Sequence, residues 1–178
     1  MEIAAIISYH EELNEIQVKL MQYIDKNPGI RYRELLRLTS LANGVLTYHL
    51  KLLERSSLIN VDRKKIRTTR YYTVNIPTEE SDLIGYFRND IVKQIIVFIL
   101  EHELCTFDEI VERIKKSPST MSWHLKRLKD AGILSVYYGK YQLYKVTNRE
   151  IVAEVLYKYK ESFAARIIDN YTEMIDEL

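Results

Sequence analysis

Apolar positions in the first part of the chain recur at helical spacing. Leu13, Ile16, Leu20, Tyr23 and Ile24 lie three or four residues apart, the stripe of an amphipathic helix. Asn27, Pro28 and Gly29 break that stripe with turn-forming residues. A short helix is predicted over 33–38, and a third over 43–55 with Leu46, Leu50 and Leu53 as its buried line. Asn43 is read as its N-cap, because an Asn side chain can accept from the free amides of the first turn. After Ser56 and Ser57 the period falls to two. Alternation over 58–63, a basic turn, and the β-branched and aromatic run 69–74 predict a two-stranded hairpin.

The same order then repeats. Ile91, Ile95, Phe98 and Ile99 mark a helix, and residues 107–114 a second. Ser117 and Pro118 open a third, since proline suits the first helical turn. Its buried line is Met121, Leu125 and Leu128, and strands 134–138 and 142–146 turn at Gly139 and Lys140. Aligned at an offset of 75, His49, Leu50, Lys51 and Leu53 meet His124, Leu125, Lys126 and Leu128. Tyr48 meets Trp123, Thr47 meets Ser122, and Glu34 meets Glu109. Agreement across helix, turn and strand together marks a duplication.

The chain ends in a stripe of Ile151, Val155, Tyr159, Phe163, Ile167, Tyr171, Met174 and Leu178, read as one long helix from 148 and capped by Thr147 or Asn148. The expected fold is therefore mainly α with small β wings. It consists of two winged helix-turn-helix units in tandem, 1–80 and 81–147, with a C-terminal helix over 148–178. That helix serves dimerisation or packing between the units, and a homodimer is the expected assembly.

Residues 117–136 (SPSTMSWHLKRLKDAGILSV) resemble the third helix and the first wing strand of ArsR- and MarR-like regulators. Residues 27–54 (NPGIRYRELLRLTSLANGVLTYHLKLLE) are similar to archaeal winged-helix regulators, including the tandem type that controls archaellum genes. The resemblance spans about residues 10–148 and implies a DNA-binding transcription regulator. Metal-sensing members carry paired cysteines or clusters of histidine and carboxylate. Cys105 stands alone here, so neither a metal site nor a cofactor is expected.

Charge supports the same reading. The net charge is only +1, but residues 28–76 hold ten Lys and Arg against three acids. Residues 103–148 hold eight against five, and the three remaining segments are each net acidic. Basic reading units on an acidic scaffold attract phosphate without making the whole chain cationic. On the third helix of the first unit the outward candidates for DNA contact are Asn43, Gly44, Thr47, Tyr48, Lys51 and Arg55. Around its wing they are Arg63, Lys64, Lys65, Arg67 and Arg70. In the second unit they are Lys116, Ser119, Thr120, Ser122, Trp123, Lys126, Arg127 and Lys129, with Lys140 at the wing turn. Few of these residue types make the bidentate base pairings that discriminate strongly, so readout is expected to lean on phosphates, with a modest AT preference.

His49 and His124 have no carboxylate or cysteine at ligand spacing and read as histidines packed against their units. No phosphate loop, dinucleotide fingerprint or hydrolase signature occurs, and an enzyme is not expected. A single cysteine and the lack of a signal-like start or a long apolar run imply a cytoplasmic protein without a membrane span. The competing function is a winged-helix module that docks another protein of the transcription machinery without reading DNA.

Overall fold

The computed structural model describes residues 13–63 and 69–163. Two compact units divide the chain, one holding Met1–Gly85 with Glu161–Leu178 and the other Tyr86–Lys160.

In the first unit, helix α1 (Glu15–Lys26) starts at Asn14, whose side chain accepts from the Gln17 amide while Gln17 reaches back to the Asn14 amide, both at 3.0 Å. Strand β1 (Ile30–Arg31), helix α2 (Tyr32–Thr39) and helix α3 (Asn43–Arg55) follow, then strands β2 (Ile59–Asp62) and β3 (Arg70–Thr73). Helix α4 (Thr78–Phe87) comes next, and the division between the units falls inside it. The core joins Leu20, Met21 and Ile24 of α1 to Leu35 of α2 and to Leu46, Leu50 and Leu53 of α3, roofed by Ile30, Ile59 and Tyr71 of the sheet. The α3 boundaries and buried line are those the periodicity predicts. Its N-cap is not Asn43 but Ala42, which supplies no side-chain hydrogen bond. Asn43 is the first helical residue, and its side-chain oxygen instead accepts from the Tyr32 hydroxyl at 3.2 Å.

The second unit repeats this order. Helix α5 (Asp90–His102) leads to β4 (Cys105–Thr106), α6 (Phe107–Ile114) and α7 (Pro118–Asp130). Strands β5 (Leu134–Tyr138) and β6 (Gln142–Val146) and helix α8 (Arg149–Lys158) complete it. The offset of 75 holds in the backbone as well as in the residues. Ser40 and Lys115, which end α2 and α6, both adopt left-handed geometry, as do Ser57 and Gly132 after α3 and α7. Such φ values are uncommon outside glycine, so their recurrence at matched positions marks the same turns built twice.

Each expected hairpin is present, and a two-residue strand joins it to make a three-stranded antiparallel sheet. The order is β1-β3-β2 in the first unit and β4-β6-β5 in the second. Two-residue strands such as β1 and β4 leave no periodicity to read. Tyr71 lies opposite Ile30, and Tyr144 opposite Cys105. Tyr71 thus corresponds to Tyr144, and Arg70 to Leu143.

At the C-terminus the helix begins after Asn148, which makes no side-chain cap bond, and Tyr159 interrupts it with a turn. Its buried face is Val152 and Val155, while Ile151 of the predicted stripe is exposed. The rest of that stripe, from Ile167 onward, lies outside the described residues. Among the described residues no helix is long and apolar enough to cross a membrane.

Candidate nucleic-acid interface

Helices α3 and α7 each bury one face and leave the first two turns of the other open. Asn43, Gly44, Tyr48, Lys51 and Arg55 are exposed on α3, and Thr47 is partly so. On α7, Ser119, Ser122, Trp123, Lys126 and Lys129 are exposed, and Thr120 and Arg127 partly so. Lys116 is exposed just before α7, and Lys140 at the wing turn. Open space surrounds Gly44, so the α3 backbone can approach a ligand closely there.

Local chemistry fixes where each helix begins. Ser117 caps α7 by accepting from the Thr120 amide at 3.3 Å, and its hydroxyl also meets those of Ser119 and Thr120. Helix α3 has no such cap. The Tyr32 hydroxyl, from the start of α2, contacts its first turn differently, donating to the Asn43 carbonyl at 2.9 Å and meeting the Thr47 hydroxyl at 3.0 Å, which positions the turn without capping its amides. Tyr32 is a positioning residue that the sequence pattern alone did not single out. Its counterpart Phe107 has no hydroxyl, and α7 relies on its own serine.

Behind each outward aromatic stands a buried histidine. His49 meets Tyr48 edge-on with ring centroids 5.1 Å apart, and His124 meets Trp123 in the same way at 4.8 Å. Nδ1 of each is buried without a hydrogen-bond partner. Burial holds the His124 imidazole below its usual pKa, and the Arg127 guanidinium adds to the effect. The folded state therefore binds that proton less readily than the unfolded chain. The stability it contributes is present above about pH 6.5 and is lost as pH falls through the lower folded value. The unfolding midpoint is expected to drop on acidification from about pH 7.5 to about pH 5, and to drop less in His124→Leu. Parallel pH profiles for the two proteins would remove His124 as the cause.

The wings differ. In the first, Arg63 is exposed but forms a two-point ion pair with Glu54 of α3 at 2.5 and 2.6 Å, holding that carboxyl below its ordinary range. Arg70 does not reach the wing surface as expected. It is buried in the central strand, and its Nη1 donates to the Gly29 carbonyl at 2.7 Å. Lys64, Lys65 and Arg67 lie outside the described residues. In the second unit a groove of about 560 Å³ runs between α7 and the wing, lined among others by Ser122, Lys126, Lys129, Val136, Gln142 and Tyr144. Lys126 and Lys129 stand on its rim beside the carboxylate of Asp130.

Cys105 is buried in β4, and burial pushes its thiol up to about 11, which keeps it protonated and poorly nucleophilic at neutral pH. Among the described residues no group of three or more His, Cys, Asp or Glu is placed to hold a metal ion.

Residues 90–136 match the bacterial regulatory protein family of ArsR type, and residues 14–84 match a family described as an N-terminal HTH domain. Both matched segments have the winged helix-turn-helix architecture described above. An uncharacterized HTH-type transcriptional regulator of Methanocaldococcus jannaschii is 28% identical to this winged-helix chain over 122 residues. That match takes in 68% of the chain but spans only 30% of the relative's length. Among solved structures, a transcriptional regulator homologue from Pyrococcus horikoshii OT3 aligns with 52% of the winged-helix chain and 91% of its own, at 19% identity and a TM-score of 0.39. NadR in complex with 4-hydroxyphenylacetate aligns with 55% of the chain and 71% of its own, at 16% identity and a TM-score of 0.39.

Proposed function

We propose that the chain is a transcription regulator that binds double-stranded DNA through α3 and α7 in the major groove, with the wings against the backbone or minor groove. The observation that carries this reading is the repeated outward face. At matched positions each unit offers a small hydroxyl (Thr47, Ser122), an aromatic ring (Tyr48, Trp123) and a lysine (Lys51, Lys126) on the early turns of its third helix. In a helix-turn-helix those turns meet base edges. Hydroxyls and rings give tolerant contacts, including the thymine methyl, while the lysines pair with phosphates. Affinity then comes mostly from the backbone and specificity is modest.

Titrating a labelled promoter-length duplex at several salt concentrations tests this. With four or more phosphates engaged, log K should fall against log salt with a slope of about −3.6 or steeper, roughly a hundredfold between about 50 and about 200 mM. A slope shallower than about −1, or no binding at low salt, would sink the DNA reading and favour a protein-docking module.

A further inference from the structure

In both units the last turn of the third helix is tied to the end of the first wing strand. The tied positions match at the offset of 75, but the charges on them are exchanged. In the first unit Glu54 of α3 holds Arg63, which directly follows β2, through two N–H···O bonds of 2.5 and 2.6 Å. In the second, Lys129 of α7 takes the place of Glu54, and Tyr138 at the end of β5 that of Arg63. The Lys129 ammonium donates to the Tyr138 hydroxyl at 3.0 Å and lies 5.6 Å from its ring centroid. The tie is kept and its charge is not. Glu54 and Arg63 cancel, whereas Lys129 and Tyr138 leave one positive charge.

That difference decides which cation a phosphate can use. A guanidinium forked onto a carboxylate has its charge neutralised and two of its N–H donors spent. A phosphate reaching Arg63 also approaches the Glu54 carboxylate, which repels it. Exchanging one anion for another on Arg63 releases no counterion of the protein and strands Glu54 unpaired beside a polyanion. An ammonium has three donors, and Lys129 spends one of them on a hydroxyl. That hydroxyl holds Lys129 above the ordinary lysine range, and Lys129 forms no ion pair with another of the described residues. Its charge stays available while the tie holds.

We propose that Glu54 withholds Arg63 from DNA, so that at this helix–wing junction the second unit contributes a phosphate contact and the first does not. Glu54 is then a positioning residue that limits affinity by acting through Arg63. The inference rests on the duplex-binding reading above.

A double-mutant cycle on the full chain tests it, with a labelled promoter-length duplex titrated at several salt concentrations. Arg63 and Lys129 are exposed and Glu54 partly so, and matching far-ultraviolet spectra check that the variants fold. Glu54→Gln frees Arg63 and should tighten binding roughly eightfold at about 0.1 M salt, with a salt slope steeper by about 0.9. Arg63→Gln alone should change affinity less than about twofold, yet beside Glu54→Gln it should remove the whole gain. Lys129→Gln in the parent should weaken binding roughly eightfold and flatten the slope by about 0.9. If Glu54→Gln tightens binding equally in the absence of Arg63, the carboxylate acts by its own repulsion and the proposal falls. It falls too if Arg63→Gln costs as much in the parent as beside Glu54→Gln, because Arg63 then already reaches DNA. A silent Lys129→Gln removes the asymmetry between the units. Each of these outcomes leaves duplex binding by the parent standing. A parent chain that binds no duplex overturns the regulator reading itself, and this inference with it.

Discussion

Replacing Gly29 by valine is expected to destabilise the first unit by about 3 kcal/mol, a large share of the roughly 5–15 kcal/mol of a typical domain. Two separate costs converge there. Gly29 sits at φ +75°, where a side chain with a Cβ costs about 1–2 kcal/mol and a β-branched one the most. Space is also lacking. A Cβ at this position would lie 3.1 Å from the Tyr72 hydroxyl and 3.2 Å from Cγ2 of Ile84, and overpacking of this kind costs about 1–3 kcal/mol. The backbone cannot rotate to relieve either strain. The Gly29 amide donates to the Tyr71 carbonyl at 2.8 Å, and the Gly29 carbonyl accepts from buried Arg70. Chemical denaturation of the variant should show a lower midpoint at an unchanged m-value, and Gly29→Ala should fall between it and the parent. A valine variant within about 0.5 kcal/mol of the parent would mean that this turn can be rebuilt.

That site also shows where sequence reading stops. Asn27, Pro28 and Gly29 were legible as a break, but nothing in the string says that Tyr72, Ile84 and Arg70 converge on the glycine. The same limit explains Arg70 itself. A basic residue beside a basic turn reads as wing surface, whereas the neighbouring run shows that Arg70, Tyr71, Tyr72 and Thr73 are all buried. A strand buried on both faces loses the alternation that would have flagged it. Helix α4 escaped although Glu79 and Glu80 in its first turn are a helix-start signal, because Gly85 interrupts its apolar positions. The features that were legible are those a duplication writes twice. The ends of α3 and α7, their buried lines and the outward Thr47, Tyr48, Lys51 set all followed from the 75-residue offset. The caps were less secure, since Ala42 and Asn43 differ by one residue and the true N-cap Ala42 has no capping side chain to read.

The second large effect concerns whether both units engage one duplex. Lys51 and Lys126 occupy matched positions on α3 and α7, are exposed, and form no ion pair with another of the described residues. If each meets a phosphate, Lys51→Gln and Lys126→Gln should each flatten the salt slope by about 0.9 and weaken binding roughly eightfold near 0.1 M salt. Their effects are expected to multiply in the double variant, to roughly sixtyfold with a slope change of about 1.8, because contacts on separate units share no partner. Neither substitution touches the core, so folding should be unaffected and the readout is binding alone. Multiplied losses on one duplex mean that the tandem acts as a two-site reader, with each domain adding its own phosphate contacts. A silent Lys126→Gln beside an effective Lys51→Gln would place duplex recognition in the first unit. A silent pair would show that the third helices do not face the backbone at all, and the docking geometry would have to be abandoned.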